Sequence, residues 1–270
     1  MQLKKRQNKM ERIRINQACN KLSGGEYIID SFVDLLIEIE PNSTVDILVN
    51  NLSDKSSLKM IVNENSHVNF SILAESKVDF SKMEIDVKKD GYLEAYFADF
   101  SKEVINLNCV INLENEGATA YFKLASLAAN KDLKNIDVSI KHLSPRTYGK
   151  VDNYGVCKDE AKMTFLGTSH IMKNSIKSKT QQNAKIMVFD EASNAIAKPI
   201  LKIDENEIEA SHAAVVGKIN DEHLFYLTSR GISEQEAKEL ITFGYLKPIL
   251  LGFKEEAIKD HISSLIEGRM

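Results

Sequence analysis

From about Glu26 to Val216, apolar and polar residues alternate along the chain. Val45, Ile47 and Val49 are spaced in this way, as are Ile105, Leu107, Cys109 and Ile111, and later Val138 and Ile140. A period of two puts successive side chains on opposite faces of an extended strand, so this region predicts short, half-buried strands. Turn-forming pairs punctuate them: Asn42-Ser43, Asn65-Ser66, Asp90-Gly91, Glu116-Gly117 and Ser193-Asn194. Short strands stepping at about 8–12 residues fit a sandwich, a barrel or a solenoid. Ser66-His67-Val68-Asn69-Phe70 is nearly repeated by Ser76-Lys77-Val78-Asp79-Phe80. Tight hairpins favour Asn-Gly or Asp-Gly turns, and only Asp90-Gly91 has that form. The remaining turns favour the stacked rungs of a parallel β-helix.

After Gly217 the period changes to that of helices. One helix is expected from Asp221, with Arg230 near its C-terminal end and Gly231 just beyond. Ser233-Glu234-Gln235-Glu236 is a capping box, and Ile232 is placed to staple against Ala237. Ala237, Leu240 and Ile241 then share one face, and Gly244 is expected to stop the helix. A last helix follows Pro248, with Ala257, Ile258, His261, Ile262, Leu265 and Ile266 as its apolar face. These helices carry more apolar positions than one face needs, so they are expected to dock on the β body, on a partner, or on both. The chain thus divides into a basic segment at 1–25, a β core at 26–217 and a small helical domain at 218–270. Lys4, Lys5, Arg6, Lys9, Arg12 and Arg14 in the first segment read as a solvated, frayed helix, or as an arm touching a phosphate or a partner protein. Gly24-Gly25 closes it.

Composition narrows the classes. A formal charge of −4 over 270 residues creates no global field for nucleic acid or an anionic membrane. No run of about 18 apolar residues predicts a membrane span, and the basic start lacks the apolar core of a signal peptide. Cys19, Cys109 and Cys157 form neither a CxxC pair nor a disulfide framework, which fits a reducing cytoplasm.

The candidate chemistry is sparse. His212 alternates with Ile208 and Ala210, and small neighbours (Ser211, Ala213, Ala214) leave room for a cofactor or another chain. Imidazole is a common ligand for iron, zinc and copper, although a satisfied buried histidine has the same pattern. Cys157 follows Gly155-Val156 in a turn-like place and is a weak metal candidate. His170 could share a surface with it. Cys109 lies in an apolar run and reads as core. Phe225, Tyr226 and Arg230 read either as a helix end or as an aromatic-plus-arginine anchor for a partner protein. There is no GxxxxGK[ST], GxSxG or HExxH, and the six-residue repeat of hexapeptide acyltransferases is absent. A carbohydrate-cleaving β-helix would need carboxylates gathered in a groove; here the acids are spread through turns.

The tract Ser211-His212-Ala213-Ala214-Val215-Val216-Gly217-Lys218-Ile219, followed by Leu224-Phe225-Tyr226-Leu227-Thr228-Ser229-Arg230-Gly231-Ile232, closely resembles the C-terminal core of the SufB/SufD family. So does Thr180-Gln181-Gln182-Asn183 through Lys198-Pro199-Ile200-Leu201, and the resemblance spans roughly residues 145–250. These are scaffold subunits of the Suf iron–sulfur cluster assembly machinery. The resemblance implies a mainly β protein, a right-handed parallel β-helix with a C-terminal helical domain. It implies pairing of β-helix cores with a SufB-type scaffold or a second copy, and docking of a SufC-type ABC ATPase on the helices. A transient iron–sulfur cluster would be shared with a partner chain, and the subunit itself would not be an enzyme. His212 falls on the histidine that SufD proteins place at the core interface. Phe225, Tyr226, Arg230 and Gly231 match the motif leading into the ATPase-docking helices. SufB proteins carry a cysteine near Asn183 and a glutamate near Ala213; both are missing here, so the chain looks SufD-like. A β-helix enzyme acting on carbohydrate and a dimerisation module without metal contact are the competing expectations.

Overall fold

The computed structural model describes residues 11–13, 19–30, 32–50, 52 and 55–270. One sheet contains β1 (Glu11–Ile13), β3 (Gly25–Ile29), β5 (Thr44–Val49), β7 (His67–Ala74), β9 (Tyr92–Asp99), β11 (Thr119–Ala128), β13 (Tyr148–Cys157), β15 (Lys179–Val188) and β17 (Glu209–Lys218). The facing sheet contains β2 (Cys19–Leu22), β4 (Asp34–Ile39), β6 (Lys55–Val62), β8 (Val78–Val87), β10 (Val104–Leu113), β12 (Leu133–His142), β14 (Lys162–Ile171) and β16 (Asn194–Ile203). Each strand pairs in parallel with the strand two further along the chain. The chain is therefore a parallel β-solenoid with two strands per coil. Of the three architectures open to the alternating pattern, this is the one formed.

The inward positions of the strands make the core. Ile47, Phe70, Ala95, Phe122 and Val151 are consecutive register partners in one buried column. Phe80, Phe97 and Phe165 fill neighbouring columns. Coils are held in step at one corner by a left-handed residue two positions before each of β5, β7, β9, β11, β13 and β15: Asn42, Asn65, Asp90, Gly117, Arg146 and Lys177. Asn, Asp and Gly tolerate that conformation best, which is why the turn signals were readable there. The near-repeat at Ser66 and Ser76 has a different origin from a rung. Its halves lead into β7 and β8, which lie in opposite sheets of one coil. The stacking repeat is longer and not constant: Val45 pairs with Val68 and Gly149 with Thr180, so the coil grows from 23 to 31 residues.

Helix α1 (Asp221–Ser229) leaves the last coil, and α2 (Glu234–Leu246), a 3-10 turn (Lys247–Gly252) and α3 (Glu256–Glu267) fold back over the first sheet. Outward-facing Leu48, Leu73, Ala98, Leu127, Val156 and Met187 are buried beneath Leu246, Ile249, Phe253, Ile262 and Ile266. The Gly252 carbonyl accepts from Asn69 Nδ2 (3.1 Å) and Ser71 Oγ (2.6 Å). A Cβ at Gly252 would collide with the Tyr96 ring. The Arg269 guanidinium closes the strap on the Asp132 carboxylate and the Ser101 carbonyl.

Several expectations are corrected. Helix α2 continues through Gly244 to Leu246 and gives way to the 3-10 turn, which has Pro at its start; a proline lacks the N–H that a continuing helix needs. Ala257 and His261 are exposed, and the packed face of α3 is Ile258, Ile262, Leu265 and Ile266. His261 Nε2 instead meets Glu75 Oε2 at 2.9 Å. The helix expected in the first twenty residues is replaced, where described, by β1 and β2; Lys4, Lys5, Arg6, Lys9 and Arg14 lie outside the described residues. No described helix is long and apolar enough to cross a membrane.

Candidate functional site at the free end of the solenoid

The buried column that begins at Ile47 continues through Gln182 to His212, the register partner of Gln182 on β17. His212 points along the inward face of the last coil and is exposed because no further coil covers it. Beneath it the core turns polar. Gln182 is buried and its Nε2 donates to Ser169 Oγ (2.6 Å) and to the Ile200 carbonyl (3.3 Å). Thr180 Oγ1 donates to the same Ser169 hydroxyl (2.8 Å). Gln182 Oε1 has no hydrogen-bond partner among the described residues. A buried carbonyl oxygen left unpaired is costly, and this one lies one strand below the imidazole.

The last coil is bare. β16 and β17 end their sheets, and Ser211 to Val216 are all exposed. Val215 and Val216 are 57% and 44% exposed, and Ile203 is 39% exposed. Unpaired edges with apolar side chains are templates for another chain.

Cys157 does not join His212. It is buried at the end of β13, where its thiol donates to the Ala161 carbonyl (3.3 Å) and burial pushes its pKa up to about 11. Its register partners run through Val188 to Lys218, six residues beyond His212. That separates the two by roughly 20 Å along the strand. His170 is on the outer face of the second sheet, with Nε2 2.7 Å from Asp204 Oδ2, and shares no surface with the buried thiol. Cys109 is a core residue whose pKa is raised by burial. Among the described residues no three His, Cys, Asp or Glu side chains gather as a metal site. Asn183 and Ala213 are register partners on β15 and β17, and Asn183 Nδ2 donates to Asp152 Oδ1 (2.7 Å).

Beyond the edge stands α1. Asn220 caps its start, accepting from the amides of Glu222 (2.8 Å) and His223 (3.2 Å). Its end is a Schellman turn: Gly231, at φ +89°, donates to Thr228 O and Ile232 donates to Leu227 O. The helix buries none of its residues. Phe225 is 73% and Tyr226 55% exposed, and the Arg230 guanidinium sits 4.9 Å from the Tyr226 ring centre. Next to it, Ile232, Leu240 and Phe243 line an open groove rimmed by Glu236, Glu239 and Glu267. What sequence reasoning missed is the pairing of Gln182 with His212. Gln182 was visible in its tract, but its role depends on a register across thirty residues.

The architecture defines a class: a parallel β-solenoid with two free edge strands, a helical strap along one sheet, and a largely exposed helix beside the free end. A family profile described as "SUF system FeS cluster assembly, SufBD core domain" matches residues 23–245. The chain belongs to this SufBD family, whose members serve iron–sulfur cluster assembly. It is 31% identical over 159 residues to the iron–sulfur cluster assembly protein SufD of Bacillus subtilis, covering 59% of this chain and 36% of that protein. It is 30% identical over 136 residues to SufB of the same organism, covering 50% and 29%. A SufBD family protein of Staphylococcus saprophyticus is 25% identical over 196 residues, 71% of this chain and 42% of the relative. The matches thus span less than half the length of each of these relatives.

Proposed function

We propose that this chain is a non-catalytic, SufD-like scaffold subunit in which the solenoid up to Gly217 pairs with a SufB-type scaffold or a second copy. The helices from Lys218 onward would dock a SufC-type ABC ATPase, which would supply all ATP hydrolysis, in the cytoplasm. The observation that carries this reading is the bare last coil, with His212 stacked on a polar core yet open to whatever covers the end. A partner's coil would enclose the imidazole there. As an iron or cluster contact, His212 would act together with thiols from that partner, because neither Cys109 nor Cys157 lies near it. The cluster is cargo, held transiently at the junction. Phe225, Tyr226, Arg230 and Gly231 form the docking element: exposed aromatic rings and an arginine on a capped helix are the composition of interface anchors.

The test is co-purification with the ATPase and SufB-type proteins of the same source, followed by anaerobic iron and sulfide reconstitution of wild type and His212→Ala. The expected result is a stable complex in both, with cluster absorbance reduced in the variant. Equal cluster formation in both would reduce His212 to packing. Failure to form any complex would overturn the scaffold role.

A further inference from the structure

The amide of Gln182 crosses the core already oriented. Its Nε2 donates to two acceptors, Ser169 Oγ (2.6 Å) and the Ile200 carbonyl (3.3 Å). Turning the amide over would aim its oxygen at that carbonyl, where no donor stands. Oε1 therefore faces Gly167 on β14, and a Cβ on that glycine would lie 2.9 Å from it. Gln182 is 2% exposed, and this oxygen has no donor among the described residues. The polar core thus holds the amide in place and leaves one acceptor open.

Within the column that holds Gln182, the residue below is Val151 and the residue above is His212. Of these two, only the histidine has a proton to give. Neighbouring strands lie about 4.8 Å apart, so stacked side chains of one column are within reach of each other. A neutral imidazole carries one N–H and one bare nitrogen. At the open end, water serves the N–H. Under a covering coil, the N–H needs a protein acceptor just where a buried oxygen needs a donor.

We propose, resting on the covered end of the reading above, that Gln182 is a positioning residue for His212. On covering, one imidazole N–H donates to Gln182 Oε1, and the other ring nitrogen is left bare and turned toward the junction. A histidine that faces a metal needs this arrangement, because the acceptor on one nitrogen selects which nitrogen is free to bind. Gly167 belongs to the same device, since a side chain there would take the place of the oxygen. Thr180 stands on the far side of Ser169, to which it donates (2.8 Å), and does not set the acceptor.

The experiment labels the histidines of the full chain and reads the ring nitrogens of His212 by NMR, without added metal, at about pH 8, where an ordinary imidazole is neutral. Spectra are taken of the chain alone and in the complex it forms with a SufB-type chain or with itself, and His212→Ala assigns the signal. In the wild-type complex one tautomer is expected. In Gly167→Ala and in Gln182→Met, the tautomer ratio should fall by about fivefold or more, the effect of one net hydrogen bond. Thr180→Val, which also removes a polar group from this core, should leave the ratio unchanged. A Cβ at Gly167 meets only atoms of Gln182 within 4 Å, so that variant is expected to fold. Melting curves check each one, and Gln182→Met decides if Gly167→Ala does not fold. A wild-type complex with mixed tautomers overturns the positioning role and leaves the scaffold reading standing. Equal changes in all three variants also overturn it, reducing Gln182 to packing. A chain that forms no complex overturns both.

Discussion

His142 shows how a single buried side chain ties this fold to pH. It ends β12 facing inward, fully buried, with Nδ1 2.8 Å from Thr147 Oγ1 and with Nε2 unpartnered among the described residues. Burial lowers its pKa from 6.5 to about 4, because the charged imidazolium would lose its hydration. The neutral form is what folds. Its contribution is complete above pH 6.5 and is lost as pH falls toward 4, since the unfolded chain takes up the proton first. Relative to wild type, His142→Gln should flatten stability between pH 7 and 4 by about 3 kcal/mol. Urea unfolding at a series of pH values measures this, and parallel pH profiles would remove the assignment. Lys134 is the other extreme. Its ammonium is entirely buried, yet it is held by Asp99 Oδ1 (3.2 Å), Ser101 Oγ (2.7 Å) and Ser101 O (2.8 Å). A buried charge is tolerated when partnered in this way.

At the scale of elements, local chemistry and tertiary packing part company in the helices. The capping box of α2 forms as its residues predict: Ser233 Oγ accepts from the Glu236 amide (3.2 Å) and Glu236 Oε2 from the Ser233 amide (3.0 Å). The far end of α2 does not follow its glycine, because burial of Leu246 against the sheet favours another helical turn over a stop at Gly244. Helix α1 is capped at both ends and touches α2 but buries no residue fully, so its exposed aromatic residues contribute little to folding. Phe225→Ala should leave the melting temperature unchanged while weakening capture of the proposed ATPase partner by about tenfold or more. Calorimetry and a binding titration on the same variant separate the two. A large loss of melting temperature would mean that α1 is structural.

For the whole molecule, the strap couples parts of the chain far apart in sequence. Lys254 Nζ reaches Asp46 (2.7 Å) near one end of the solenoid, and Lys158 Nζ meets the Met270 carbonyl (2.6 Å) near the other. Gly252 lies tight against the sheet, where a Cβ would run into the Tyr96 ring. Gly252→Ala should cost about 1–3 kcal/mol, as expected when a side chain is forced into a filled contact. It should also speed amide exchange from Leu246 to Ile266 more than exchange within the strands. Uniform acceleration throughout would show that strap and solenoid open as one unit.

The features legible along the chain are those that depend on near neighbours. Alternation at Val45 to Val49 and Ile105 to Ile111 specified strands, because the pleat turns successive side chains to opposite faces. Asn42, Asn65 and Asp90 marked the corners, because few residues accept a left-handed backbone. The motif from Ser211 to Ile232 pointed to the SufB/SufD family before any geometry was known. Features that depend on register between coils emerge only in the folded chain. Gln182 lies under His212, and Cys157 stays apart from it. Those relations join residues about thirty positions apart through coils of unequal length, so no fixed repeat announces them. The run Leu124 to Ala129 breaks its alternation because the helical strap covers the outer face there and buries Ala125 and Leu127 as well.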